Sequence, residues 1–373
     1  MATPYDFGAK GDGLTDDTNA LGRWVQAGGG EIPAGAFRFN GPLRFGPGFL
    51  IKRWEGKLLY GEGWPSGYAL CSRDWTAPTR GVRIDATAGG EIIYHGHSDR
   101  PRKGLGLTFL EDFEVRNPTV AGGAGDKGIN LFSAEVRNSK RGRITGGRLS
   151  ILSGQQGADG IHFTQNCSDI ELVGLTTLAG DDGAGLTVEI PPHADSVIER
   201  ITFSNCTLDN IGHSSLKVLL TGASRAAQIR DVTLRDCTMR TTLAPLGAGV
   251  PVIIVNRSRA AGGRIEHITI SGGRSEVIVP EGGLQGGTAL QIIAADYLHI
   301  RNHDMYYWSR TVLDAEDCKG LVIEGGVFES IRPIATNPAV PVFRTKACPD
   351  ARIAPARAKG AWIGQRLVAK TVP

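Results

Sequence analysis

No stretch of the 373 residues approaches the roughly 18 consecutive apolar positions that a membrane-spanning helix needs, so membrane insertion is not expected. The signatures of zinc and redox chemistry are missing as well. There is no CxxC and no HExxH, and Cys71, Cys167, Cys206, Cys237, Cys318 and Cys348 lack the close pairing of a metal knuckle or a small disulfide scaffold. They read as reduced, buried thiols. An excess of one charge is absent too: 41 Lys+Arg against 38 Asp+Glu leave a net +3, which gives no case for nucleic acid as a partner. The opening, Met1-Ala2-Thr3-Pro4-Tyr5-Asp6, has neither a basic n-region nor an apolar h-region, so no secretory leader is expected. What the chain has in abundance is glycine, 52 residues, about twice average usage and without a triplet period, which excludes a mainly helical protein.

A repeat decides the architecture. A short alternating strand runs FEVRNP from Phe113, GRITGG from Gly142, IELVGL from Ile170 and ITFSNC from Ile201, then VTLRDC from Val232, ITISGG from Ile268, LHIRNH from Leu298 and LVIEGG from Leu321. Successive starts lie 29, 28, 31, 31, 36, 30 and 23 residues apart. The fifth position of each unit is Asn117, Gly146, Gly174, Asn205, Asp236, Gly272, Asn302 or Gly325. These residue types reach a left-handed backbone at least cost, so one sharp turn recurs in every unit. Strands of period two with a recurring left-handed turn every 30 residues or so describe an all-β fold, a single-stranded right-handed parallel β-helix. An antiparallel sandwich would repeat its strands every 8 to 12 residues or so, without such a column. Stacking at about 4.8 Å per coil sets Cys206 and Cys237 in one internal column.

The ends need caps, because a terminal coil exposes core and pairing edges. Residues 1–40 supply a cap and first coil: Thr15 to Asp17 reads as an N-cap, and Asn19 to Gln26 sets Leu21, Trp24 and Val25 on one helical face before Gly28-Gly29-Gly30. Residues 41–340 form the solenoid, interrupted at 52–75 by an irregular segment with Trp54, Tyr60, Trp64, Tyr68 and Trp75. Those rings either stack on sugars or pack a loop against the first coils. Residues 341–373 form a basic tail; from Phe343 onward seven Lys/Arg face one acid, so it caps the helix, joins subunits, docks on a particle or is simply solvated. The order YDFGAKGDGLTDDTNAL, helix, GGGEIPAGAFRF resembles the opening of the pectate lyase superfamily of β-helix proteins, which includes many phage tail spikes.

Three motifs fall at matched places in successive units: Gly157-Ala158-Asp159-Gly160-Ile161, Gly180-Asp181-Asp182-Gly183 and Ile211-Gly212-His213-Ser214. Asp182 lies 12 residues after Ile170 and His213 lies 12 after Ile201, which stacks them one coil apart; Asp159 precedes Asp182 by 23. Clustered carboxylates repel, which raises the pKa of one member and lets a proton donor and a base coexist, as glycosidic cleavage requires. Asp and Gly are also ordinary turn residues, and the coincidence with a histidine is what favours a site.

The order GADGI, GDDG, GHSS resembles glycoside hydrolase family 28, the polygalacturonases and relatives, whose signature runs Asn-Thr-Asp, Asp-Asp, Gly-His-Gly, Arg-Ile-Lys. The resemblance implies Asp181 as general acid, Asp159 and Asp182 as activators of water, His213 as support for the acid, inversion at the anomeric carbon, and no metal or cofactor. Ala158 replaces the threonine, Ser214 replaces the second glycine, and Val250-Pro251-Val252-Ile253-Ile254-Val255 occupies the Arg-Ile-Lys stretch. In that family the basic pair grips substrate, an acidic sugar's carboxylate included. Its loss argues against polygalacturonate unless Lys217, Arg257 or Arg259 substitutes. The lyases of the same superfamily use calcium, which Asp181 and Asp182 offer to hold in that weaker alternative.

The expected function is binding and hydrolysis of a bacterial surface polysaccharide by a tail-spike or depolymerase-type protein. Its expected place is a virion, or outside the cell after lysis, with the cytoplasm as the alternative. The rival is a non-catalytic receptor-binding spike that holds glycan with Tyr306, Tyr307 and Trp308, and either reading admits a homotrimer attached to a phage-like particle.

Overall fold

The computed structural model describes residues 1–60, 67–94, 102–122, 131–152, 157–189, 195–222, 225–242, 249–278, 288–307, 312–330, 343–359 and 370–372. Two compact units, Met1–Asp181 and Asp182–Pro373, are each a stack of three-strand coils. In the first unit, one sheet holds Gly29–Ile32, Leu50–Trp54, Arg83–Asp85, Leu110–Arg116, Lys140–Thr145 and Cys167–Val173. A second holds Asp12–Asp16, Ala36–Phe39, Lys57–Tyr60, Glu91–Tyr94, Thr119–Ala121, Arg148–Ile151 and Thr176–Ala179. A third holds Leu43–Phe45, Gly67–Ser72, Arg102–Thr108, Ala134–Arg137 and Ile161–Thr164. The chain visits first, second and third sheet in turn and returns, pairing parallel at every step, as a right-handed parallel β-helix does. The second unit repeats this path, its third sheet beginning with Asp182–Val188, Ser214–Leu220 and Val252–Asn256.

The anticipated turn is present in all eight repeats: φ is 51° at Asn117, 62° at Gly146, 67° at Gly174, 53° at Asn205 and Asp236, 61° at Gly272, 50° at Asn302 and 66° at Gly325. Each turn reverses the pleat between first and second sheets, so alternate residues on both face one interior. In the second unit the third sheet lines that interior with Ala184, Leu216, Val252, Leu290, Leu313 and Phe343, in register and all buried. The capping helix runs Thr18–Gln26 and buries Ala20, Leu21, Trp24 and Val25. Trp24 meets Phe49 edge-on at 5.9 Å, and Phe49 stacks on Phe45 at 4.9 Å. Asp17 stands at the N-cap position, yet its carboxylate serves the Lys10 and Gly11 amides at 2.7 and 3.0 Å rather than the helix.

Two boundaries differ from the sequence reading. Most of the described part of 52–75 is no irregular interruption: it continues the coils as the end of Leu50–Trp54, Lys57–Tyr60 and Gly67–Ser72, with Trp54, Tyr60 and Tyr68 buried, and Trp75 follows in a loop. Gly90 admits the Trp54 indole, where a Cβ would come within 2.1 Å of the ring, and the indole N–H donates to the Gly56 carbonyl at 2.8 Å. Trp64 lies outside the described residues. Past residue 341 the coils also continue, with Phe343–Lys346, Arg352–Ala354 and Arg357–Lys359. Two basic residues of that stretch match acids of the preceding coil, Arg344 bonding Asp314 at 2.6 Å and Lys346 bonding Glu316 at 2.5 Å.

All six cysteines are reduced thiols and buried. Cys206 and Cys237 stack between the in-register pairs Ser204/Arg235 and Thr207/Thr238, and the hydrogen bond between the thiols, reinforced by burial, pushes the Cys237 thiol well up.

The left-handed column separates two glycine roles. Gly174 has open space around it, and equivalent positions already carry asparagine, so Gly174→Asn is expected to stay within about 0.5 kcal/mol of wild type in urea unfolding. At Gly273, φ is 68° and a Cβ would fall 2.1 Å from the Cys237 carbonyl oxygen. Gly273→Ala is expected to cost about 2–4 kcal/mol in the same experiment.

Candidate functional site

In the second unit the site grows from the edge of the third sheet. Every residue of Asp182–Val188 is buried, so the Asp182 carboxylate enters the fold with only 1% exposure. Strand register sets Asp182 against Ser214, one residue beyond the His213 that equal spacing suggested. His213 therefore reaches Asp182 from the turn preceding its strand, Nδ1 to Oδ1 at 3.0 Å, while the Ser214 hydroxyl donates to the same oxygen. The Lys217 ammonium donates to the other oxygen at 2.9 Å. Buried Asn210 holds the turn: its carbonyl accepts the His213 amide at 3.2 Å, and its amide donates to Ser215 at 3.1 Å and Thr241 at 2.9 Å.

Burial alone would push the Asp182 carboxyl up. The His213 and Lys217 contacts outweigh it and hold the group below the usual carboxylate range. Asp182 is thus governed by its cationic and hydrogen-bonding neighbours, and stays in the ionised form expected of a water-activating carboxylate. Lys217 is committed to an internal carboxylate and keeps only 19% side-chain exposure. Arg257 is exposed past the far end of the strand, its amide bonded to the Leu220 carbonyl. Six residue steps along the strand, about 20 Å, separate Leu220 from Ser214, so Arg257 does not join Asp182. Tyr306 lies on the second sheet between Glu276 and Glu329, away from the third-sheet residues Asp182 and Lys217. Trp308 lies outside the described residues.

In the first unit, Asp159 precedes the third-sheet strand Ile161–Thr164 and is 1% exposed. Its carboxylate bonds His162 Nδ1, and the His162 ring stacks on Phe132 with centroids 4.4 Å apart. In register with His162, one coil back, stands buried Glu135. Glu135 accepts hydrogen bonds from Tyr68 at 2.6 Å, Thr164 at 3.0 Å and the Lys103 ammonium. Burial opposes ionisation of Glu135, but Lys103, then Tyr68, hold its pKa down, while burial and that anion push the Tyr68 phenol well up. Lys103 lies 4.5 Å from the Phe132 centroid and 5.1 Å from that of Tyr68. Asp181 accepts the Gly157 amide at 2.6 Å, and its own amide donates to the Ala158 carbonyl at 3.0 Å. Ala158 packs with Leu131 and Ile151, an apolar seat with no use for a threonine hydroxyl.

His162, Glu135 and Lys103 escaped the sequence reading, which had Tyr68 only among the rings of the 52–75 segment. Their signal was available, since Glu135 and His162 are 27 residues apart, one coil, in strands that share alternation.

No family model matches the chain, and no curated protein does. Solved structures do. A family 28 exopolygalacturonase of Yersinia enterocolitica aligns at TM-score 0.51 and 13% identity over 96% of this chain and 77% of that one. The surface adhesin PfbA of Streptococcus pneumoniae aligns at 0.51 and 12% over 96% and 91%. A mutant tailspike protein of Escherichia coli bacteriophage HK620, solved with a pentasaccharide, aligns at 0.51 and 10% over 97% and 78%. At such identities the likeness carries the fold: the chain is a right-handed parallel β-helix protein.

The ionised state of Asp182 has a measurable sign. A depressed carboxyl pKa stabilises the fold above the unfolded value near 3.9, and that contribution is lost as pH falls through the folded value. Asp182→Asn is expected to flatten the acid limb of the urea-midpoint profile. Lys217→Met, which leaves a buried anion one cation short, is expected to cost about 3–5 kcal/mol. The double variant should cost less than the sum of the two single changes.

Proposed function

We propose that this β-helix binds a bacterial surface or capsular polysaccharide and hydrolyses its glycosidic bonds. The observation that carries the reading is the buried, ionised Asp182, oriented by His213, Ser214 and Lys217 at a strand edge. A carboxylate so held is in the ionised state that a base needs to take a proton from water as the water attacks the anomeric carbon. Asp181 is assigned as the acid that protonates the leaving oxygen, Asp159 and His213 keep the roles that the family 28 resemblance implies, and inversion follows from the pairing of acid and base. The exopolygalacturonase and the sugar-bound tailspike support the reading through their shared architecture. A homotrimer, carriage on a phage-like particle and action outside a lysed cell belong to the same proposal.

A second reading, a non-catalytic glycan-binding spike, is favoured by one observation. Both Asp182 oxygens already have strong partners, as in a structural ion pair.

An end-group assay separates the two. Wild type and Asp181→Asn are incubated with polygalacturonate, hyaluronan, dextran and Escherichia coli O-antigen polysaccharide, following reducing ends and ultraviolet absorbance. Hydrolysis yields reducing ends without absorbance, reduced about 10²–10⁴-fold in Asp181→Asn. Binding without cleavage by wild type transfers the assignment to the spike.

A further inference from the structure

Trp75 is set apart from the other described tryptophans. Trp24 and Trp54 are 0% and 2% exposed, whereas Trp75 is 41% exposed. An exposed ring of this size is usually mobile, but this one is fixed from three sides. Its indole N–H donates to the Ser72 carbonyl at 3.0 Å. Tyr68 meets it at 89° with centroids 5.9 Å apart, and the Arg44 guanidinium lies 5.7 Å from its centroid. The loop that presents it is itself built: the Asp74 carboxylate accepts the Thr76 amide at 2.8 Å, the Thr76 hydroxyl at 2.7 Å and the Ala77 amide at 3.3 Å. Tyr68 in turn is seated on Gly106, where a Cβ would come within 2.7 Å of its ring, and is tied to Glu135 through its hydroxyl. A chain of fixed contacts thus runs from Gly106 through Tyr68 to a solvent-facing indole.

Register connects this platform to the acidic residues of the same unit. Arg44, Cys71, Gly106, Glu135 and His162 occupy successive coils of one third-sheet column. Four coil steps put Arg44 about 19 Å from His162, which bonds Asp159. A rigid aromatic face beside a guanidinium matches a pyranose ring, whose C–H face is apolar and whose rim carries hydroxyl or acidic groups.

We propose that Trp75, with Arg44 beside it and Tyr68 as its buttress, is a glycan subsite that holds one sugar ring of a chain lying along the third sheet of the first unit. The inference rests on the polysaccharide reading above and adds to it a binding locus remote from Asp159.

The test titrates the four polysaccharides of the end-group assay by calorimetry and tryptophan fluorescence. For a polysaccharide that binds, Trp75→Ala is expected to weaken affinity roughly tenfold and to abolish most of the emission change. Trp75→Phe should keep most of the affinity while losing the optical signal, and Arg44→Ala should weaken binding a few-fold. Gly106→Ala, which unseats Tyr68, should weaken binding with the indole still in place. Melting curves should match wild type for Trp75→Ala. A polysaccharide bound within twofold equally by wild type and Trp75→Ala overturns the subsite and leaves the polysaccharide reading standing. Absence of binding to all four by wild type removes both.

Discussion

In-register parallel pairing is the constraint from which the rest follows. Each residue meets its counterpart in the next coil at about 4.8 Å, so identical side chains accumulate along a column. For apolar side chains this builds a core; for like charges it would be prohibitive. The columns accordingly alternate in sign. Glu114, Arg143 and Glu171 are successive rungs in the first unit, and Glu199, Arg230 and Glu266 in the second. Asp209, Arg240 and Glu276 form another series, with Arg240 bound to Asp209 at 2.8 Å. Exposed pairs of this kind add little stability singly. Their larger contribution is to register, because slipping a strand by two residues breaks the alternation of sign in its column.

The same rule governs the candidate site. Asp182 is buried by its position on a fully buried strand, and a buried carboxylate survives only with partners, which the next coil supplies from His213, Ser214 and Lys217. Glu135 solves the same problem with Tyr68, Lys103 and Thr164. Asp182 and Glu135 therefore each answer to the donors around them.

The turn column was legible in the sequence because Asn, Asp and Gly are the residues that tolerate its geometry. A second left-handed column, five residues upstream, was not. Asp112, Arg141 and Asp169 in the first unit, and Arg200, Asp231, His267 and Tyr297 in the second, have φ between 53° and 58°. Here residue type reflects lateral contacts instead of backbone ease: Arg141 donates to Asp112 at 2.7 Å, and His267 stacks on Tyr297 at 5.1 Å. Composition hides a bend when contacts offset its strain. The pairing of Asp182 with His213 was legible from spacing, but the one-residue offset was not, since it depends on where hydrogen bonding begins. Lys217 gave no signal as an ion partner, because register sets it against Gly185 and it reaches Asp182, which faces Ser214, only through the length of its side chain.

Repeat starts separated by as few as 23 and as many as 36 residues still deliver every turn residue to a left-handed backbone. Length is absorbed on both sides of the third sheet: Val252 lies 20 residues after the repeat start Val232 and 16 before Ile268, whereas Leu313 lies 15 after Leu298 and 8 before Leu321. Variation in these connections leaves the columns inside untouched. A lineage built on this scaffold can therefore exchange segments beside its third sheet, one coil at a time, and diversify what it recognises while inheriting an unaltered frame.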